Sequence, residues 1–593
     1  MKAPRFLKII ITVAVVLALL FLILMHRQWQ IVAWYLDLPS PAYQVRVDKN
    51  IMIPMRDGVK LAADIYRPKK EGRYPVILTR TPYGKESKSH RYSFAGALFA
   101  SQGYIYIVQD CRGKFDSEGE YYPYVNEASD GYDTIEWAGT RAWSTGRVGM
   151  YGFSYWGSTQ WLPAPLGNPH LKAIVPIMTA QNIYHRWIYK SIFRINDVLV
   201  WHYENATKRS RSPKEIDWDT AVRHLPLITA DDNIGTDIPM YNDWIRHPLP
   251  GPYWEKVNVD SRVAEIKAPA LIIEGWYDYY LDLAVGDFNR MITKGGSREA
   301  RNSMLLIGPW THTSKSKFEA ADFGPEASFM KQIKTILQWF EYWLREKKNS
   351  IYDKGPVRVF VMGANIWKNL EAWPPRNSRP VRYYLHSRGR AAGVSGDGLL
   401  NRVLPGKERH DEYIYDPVNP APSVGGTSIY GSAEAGPADQ NIVESREDVL
   451  VYTTDPLSED MTVMGTVKLV FYASSSARDT DFVARICDVG LDGKSLNIKD
   501  AVIRARYRES LSRASYLDAG RVYRFEISIG TVCNMFKKGH RLRLHLTSSS
   551  FPEYGRNLNT GATVGLTSKT VKARQSIYHD RAHPSFLTLP CVR

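Results

Sequence analysis

A serine framed by glycines at the end of an apolar run is the first feature with chemical meaning. The stretch "RVGMYGFSYWG" places Ser154 between Gly152 and Gly157. Small residues belong there if the chain turns sharply from strand to helix, because such a turn is strained and backbone crowds backbone. The turn would lift the serine hydroxyl above the sheet edge with the N–H of Tyr155 facing the same point, an arrangement suited to attack on a carbonyl. The spacing is G-x-S-x-x-G, and Trp156 stands where the commoner nucleophile motif has its second glycine. Alone, a glycine-rich strand end accounts for this pattern more readily than a nucleophile does. A reactive serine also needs a base, and an acid to orient that base. Asp278 ends "LIIEGWYD" and His312 follows "MLLIGPW", both just past apolar runs. Singly, each has an ordinary reading as a turn aspartate or a packed histidine. Coincidence explains far less well three such residues, in the order Ser, Asp, His, at three strand ends.

The elements that must position them are legible as short apolar runs rich in β-branched and aromatic residues. These are "YPVILTRTPY" (74–83), "GYIYIVQD" (103–110), "VGMYGFS" (148–154), "LKAIVPIM" (171–178), "PALIIEGWYD" (269–278) and "NSMLLIGPWTH" (302–312). Continuous apolar strands alternating with helical stretches such as 130–142 predict a parallel α/β sheet buried on both faces. Before them, residues 51–68 alternate around a D-G turn and read as a hairpin. "YWGSTQWL" can form the helix after the serine, but Pro163 and Pro165 predict that it kinks or stops near Leu162.

Between residues 179 and 266 the strand rhythm breaks, and aromatic residues such as Trp187, Trp201 and Trp244 accumulate. This predicts an inserted, mostly helical lid over the carboxyl edge of the sheet. Residues 327–349 return to a well-formed amphipathic helix. From about Gly355 the texture changes to short alternating runs with Gly, Pro, Asn and Ser turns, which predicts a β-sandwich or jelly roll. The expected domains are an anchor and linker over 1–45, an α/β domain over 46–178 and 267–352, the lid over 179–266, and a jelly roll over 353–593.

With 593 residues the chain exceeds one hydrophobic core, and 44% hydrophobic with 23% charged residues places it among globular proteins. The four cysteines are far apart, so neither a zinc site nor a disulfide framework is indicated. A net charge of +16 invites a nucleic-acid or membrane partner. No basic repeat or nucleic-acid-binding motif accompanies it, so no nucleic-acid partner is expected, and a solvated basic surface explains most of the excess. A membrane partner fits the N-terminus, where Ile9 to Met25 is interrupted only by Thr12 and would span roughly 25 Å as a helix. Trp29, Trp34 and Tyr35 resemble an interfacial belt. Lys2, Arg5 and Lys8 precede the run and Arg27 alone follows, which predicts one transmembrane helix with the body outside the cytoplasm, periplasmic or extracellular. Secretion after signal cleavage is the alternative, although no small-x-small cleavage site is present.

Beyond these patterns the chain resembles the cocaine-esterase-like and X-prolyl dipeptidyl peptidase (CocE/NonD) family of α/β-hydrolases, with the related α-amino-acid ester hydrolases. The resemblance covers roughly residues 46–593 and is carried by "MRDGVKLAADIYRP", "RTPYGK", "QDCRGKFDSEGE", "GRVGMYGFSYWGSTQW", "EGWYD", "IGPWTH", "VRVFVMGANIW" and "SSSFPEYGRNLNTG". Elbows in such proteins are also G-x-S-x-x-G. The resemblance implies an α/β-hydrolase domain with an inserted lid and a C-terminal jelly roll. It implies Ser154 as nucleophile, His312 as general base and then acid, and Asp278 as the group holding the imidazole. Tyr83, in "TPYG", matches the family's tyrosine that shares the oxyanion hole with the backbone N–H after the serine, here that of Tyr155. A phenol, with its pKa near 10, is a donor at neutral pH. The implied activity is hydrolysis of a small-molecule ester or amide through an acyl-enzyme, with no metal or organic cofactor required. An X-prolyl dipeptidyl peptidase or acylase of the same family is one alternative, and a noncatalytic membrane-tethered binding module on a hydrolase scaffold is another.

Relatives that hydrolyse α-amino esters carry acidic residues just after the aspartate to hold the substrate ammonium. Here Tyr279, Tyr280 and Leu281 come first and Asp282 only fourth, while the lid opens with His185, Arg186, Lys190 and Arg194. A site requiring a free α-amine is therefore disfavoured. Trp156, Trp161, Trp187 and Trp276 are expected to line an apolar or aromatic acyl pocket, with an anionic tail reaching the lid cations. Aromatic core packing beside exposed basic residues accounts for the same sequence equally well. The sequence leaves the oligomeric state and the natural substrate open.

Overall fold

A computed structural model gives the fold and describes residues 13, 27–430 and 434–592. The apolar run from Ile9 to Met25, read above as membrane-spanning, lies outside the described residues apart from Val13. Among the described residues no helix is long and apolar enough to cross a membrane.

The first half builds a ten-stranded sheet. Its early strands are β1 (Val45–Pro54), β2 (Lys60–Pro68), β3 (Tyr74–Thr81), β4 (Ile105–Asp110), β5 (Ser144–Phe153) and β6 (Leu171–Ile177). A small lid hairpin, β7 (Ile188–Tyr189) and β8 (Ile192–Phe193), intervenes before β9 (Leu271–Tyr277), β10 (Met304–Thr311), β11 (Val357–Val361) and β12 (Ile366–Leu370). The sheet order is β1-β2-β4-β3-β5-β6-β9-β10-β11-β12, with every neighbour pair from β4 to β11 parallel. The predicted hairpin forms the antiparallel strands β1 and β2, with β1 at the sheet edge. Every residue of β4, β9 and β10 is buried, as their unbroken apolar runs require once both faces are covered.

The covering helices include α1 (Tyr92–Ser101), α2 (Glu127–Gly139) and α3 (Ser154–Trp161), which ends at Leu162 just before Pro163. A lid of short helices follows, among them Ile183–Trp187 and α4 (Ile195–Asn205). The sheet then resumes with α5 (Leu281–Lys294) and the amphipathic α6 (Ile333–Arg345).

Strands β11 and β12, which the sequence reading assigned to the β-rich part, hydrogen-bond into the first sheet: β11 runs parallel to β10 with Leu305 opposite Val357. The buried run "VRVFV" extends that sheet by one more covered strand. From Ser378 onward the chain forms a separate eleven-stranded sheet, mostly antiparallel, centred on the long strands Met461–Ser475 and Tyr523–Phe536. Its loops return to the lid. Asp197 Oδ1 accepts from Ser428 Oγ at 3.1 Å and Ile429 N–H at 3.0 Å, and Tyr430 donates to Glu204 at 2.6 Å.

Candidate active site

The elbow geometry explains the glycine spacing. Ser154 has φ +51°, a left-handed conformation that strains a side-chain-bearing residue by about 1–3 kcal/mol. The turn is tight enough that a Cβ on Gly152 would come within 2.5 Å of the Trp156 carbonyl oxygen. On Gly157 it would meet Thr179 Cγ2 at 2.5 Å. The second required glycine thus sits where α3 presses on Thr179, two residues past β6, one place later than in the commoner motif. Trp156 is free to be large because its ring packs on Tyr92 and Phe153 and lines a cavity.

That cavity, about 800 Å³, lies at the carboxyl ends of the strands. Ser154, His312, Tyr83 and Trp156 all line it. Asp278, directly after β9, is fully buried; its Oδ1 accepts from the Tyr280 N–H at 2.7 Å. Its Oδ2 accepts from His312 Nδ1 at 2.7 Å, leaving Nε2 as the imidazole's outward nitrogen. Nε2 lies 3.4 Å from Tyr279 Oη, and the Tyr279 ring stacks on the imidazole with centroids 4.9 Å apart. The aspartate and imidazole are thereby fixed from both sides.

Tyr83 Oη accepts from Trp201 Nε1–H at 3.0 Å, and its ring stacks on His90. Burial pushes the Tyr83 hydroxyl well above its ordinary value, so it remains a neutral donor. Burial pushes His90 the other way, down to about 4, which keeps this neighbour uncharged. Tyr155 is second in α3, where backbone N–H groups have no helical partner. Its side chain is tied down: Oη donates to Glu127 Oε1 at 2.9 Å and accepts from Tyr124 N–H at 2.8 Å. Glu127 is itself paired with buried Arg80 at 2.6 Å.

Three expected pocket tryptophans lie elsewhere. Trp161 is in the core at the far end of α3, Trp187 packs between Trp201 and Trp244, and Trp276 donates to the Phe360 carbonyl at 2.7 Å. Aromatic core packing, the competing reading, holds for these three. The lid cations also separate. Arg194 pairs with Glu553 at 3.3 Å, whereas Arg186 lines the cavity. Asp282 faces the second sheet, accepting from Thr531 N–H at 2.6 Å with Lys499 at 3.2 Å. Sequence reasoning missed Ile429 and Tyr430, which close one cavity wall from the C-terminal part, and Glu127 behind the elbow. No periodicity or spacing links these positions to residue 154.

Comparison with known proteins completes the picture. The family model described as X-Pro dipeptidyl-peptidase (S15 family) matches residues 57–314, and the X-Pro dipeptidyl-peptidase C-terminal non-catalytic domain matches residues 349–588. Cocaine esterase of Rhodococcus sp. (strain MB1 Bresler) is 34% identical over 572 residues, covering 92% of this chain and 99% of that protein. Among solved structures, an α-amino acid ester hydrolase is 26% identical with TM-score 0.80, covering 93% of this chain and 97% of its own. An aminopeptidase from the marine sediment archaeon Thaumarchaeota archaeon matches with the same identity, TM-score and coverage.

Proposed function

The chain belongs to the family of cocaine esterase and the S15 X-Pro dipeptidyl-peptidases and is a hydrolase; from that premise we propose that it cleaves carboxylic esters or amides through a Ser154 acyl-enzyme. The observation that carries this reading is the 2.7 Å His312–Asp278 pair, whose imidazole lines one cavity with a serine held at positive φ.

Ser154 Oγ attacks the carbonyl carbon as His312 Nε2 takes its proton, and Asp278 stabilises the imidazolium that forms. The oxyanion is received by Tyr83 O–H and the Tyr155 backbone N–H, donors that exist before substrate arrives. The protonated imidazole then gives its proton to the leaving alcohol or amine. Water repeats the sequence to release the acid. Tyr279, 3.4 Å from Nε2, keeps the ring in plane until the Ser154 hydroxyl takes up that nitrogen.

A peptidase that needs a free α-amine finds little support, since Asp282, the nearest following carboxylate in sequence, is engaged with Lys499 and Thr531. The test is a panel of aryl esters and amides assayed with the wild type and Ser154→Ala. Turnover that disappears in the variant supports the proposal. Turnover retained by Ser154→Ala would refute it.

A further inference from the structure

The lid puts a fully buried guanidinium in the wall of this cavity with no carboxylate within ion-pair distance, the buried Asp197 acting on it only from further away. Arg186 is 1% exposed and lines the same space as Ser154, Tyr83 and His312. Its Nε donates to Tyr280 Oη at 2.8 Å and its Nη2 to Tyr279 Oη. The guanidinium carbon lies 3.3 Å from the Trp187 ring centroid and 3.9 Å from that of Tyr279. Both hydrogen-bond acceptors are uncharged, because burial raises the two phenols above their ordinary range. The remaining donor, Nη1, is shielded from solvent and has no hydrogen-bond partner.

The other deeply buried arginines show how unusual this is. Arg80, Arg194, Arg485, Arg504, Arg506 and Arg543 each pair with a carboxylate at 3.3 Å or closer. Among the described residues Arg186 alone of the buried arginines has no such pair. A buried charge without a directly paired counterion is disfavoured, and phenols, ring faces and the more distant Asp197 offset only part of that penalty.

The cavity as a whole leans the same way. Its lining carries Arg91, Arg186 and Arg211 against one acid, Glu204. Burial raises the pKa of Glu204, and its Oε2 is already taken by the Tyr430 hydroxyl.

Resting on the hydrolase reading above, we propose that Arg186 is an anion subsite and that the substrates are esters or amides carrying a carboxylate. The carboxylate supplies the missing acceptor for Nη1 and the counterion for the guanidinium. A planar guanidinium matches the two oxygens of a carboxylate better than a point cation does. The same site disfavours substrates with a free ammonium.

Calorimetric titration of full-length Ser154→Ala protein with three 4-nitrophenyl esters of matched length tests this without turnover: the hydrogen adipate (anionic), the hexanoate (neutral) and the 6-aminohexanoate (cationic). The adipate is expected to bind at least about tenfold more tightly than the hexanoate, as a charge-assisted hydrogen bond would give, with the aminohexanoate weakest. Adding Arg186→Met reduces that preference to less than about threefold; Arg186→Gln serves as a second variant, and circular dichroism verifies the fold of both. Equal binding of adipate and hexanoate to the Ser154→Ala protein overturns the subsite, as does a preference that survives in a folded Arg186 variant. Because the serine is absent from this measurement, its failure counts against the subsite alone. Failure of the hydrolase reading shows instead as a panel of esters that the wild type leaves intact.

Discussion

Tyr83 differs from an ordinary packed tyrosine in having its oxygen at the rim of a cavity rather than inside the core. The Trp201 indole donates to that oxygen, leaving the phenolic hydrogen to point elsewhere. Tyr83→Phe should lower kcat by about 10²–10³, the loss expected on removing one oxyanion donor, with little effect on KM. Steady-state kinetics on any cleaved ester will show this, and an unchanged kcat would remove Tyr83 from the hole. At this scale the strand-end placement of Ser154, Asp278 and His312 was legible in the sequence, because each directly follows an apolar run. Trp161, Trp187 and Trp276 were not, because large aromatic residues serve core and pocket alike and only packing separates the two uses. Arg186 stood among several lid cations, and its unpartnered Nη1 is a three-dimensional fact.

The lid helix α4 carries both the Trp201 that bonds Tyr83 and a histidine with a definite pH signature. His202 is fully buried, Nδ1 lies 2.7 Å from the Val198 carbonyl, and Nε2 has no partner. Burial pushes its pKa from an ordinary 6.5 down to about 3. Between those values only the unfolded chain binds the proton, so its contribution to stability is lost as pH falls through 6.5. Relative to His202→Gln, the wild type should therefore lose about 2 kcal/mol between pH 6.5 and pH 5, at about 1.4 kcal/mol per pH unit. Urea denaturation of both proteins at the two pH values measures the difference; a constant gap would contradict the buried neutral imidazole. The strands and long helices of the first half were readable from their apolar periodicity. The β11–β12 pair is not assignable to its sheet in this way, since an alternating strand does not announce which sheet it joins, and its partner β10 ends more than forty residues earlier. The early end of α3 followed directly from Pro163 and Pro165.

Across the whole molecule, the C-terminal part acts as a wall of the site. The segment over residues 427–430 is clasped to the lid through Asp197, Asn196 and Arg194, and it delivers Ile429 and Tyr430 to the cavity. Asp197→Ala strips the Ile429 N–H of its buried acceptor and leaves the Ser428 hydroxyl only the Tyr430 carbonyl, a change that costs about 1–3 kcal/mol locally. It should raise KM several-fold while kcat falls much less, because the wall loosens and the reacting groups stay in place. A fall confined to kcat would mean that the segment supports the triad instead. Sequence texture revealed the β-rich part but not this clasp, which joins positions more than 200 residues apart.

On the proposed mechanism one hydroxyl, activated by the His312–Asp278 pair, is the nucleophile. This is tested most directly by treating the full-length protein with a fluorophosphonate and mapping the adduct by mass spectrometry. A single modified residue, Ser154, is expected, with labelling abolished in Ser154→Ala and strongly slowed in His312→Ala. An unmodified Ser154 in folded wild-type protein, or equal labelling of the Ser154→Ala variant, would contradict it.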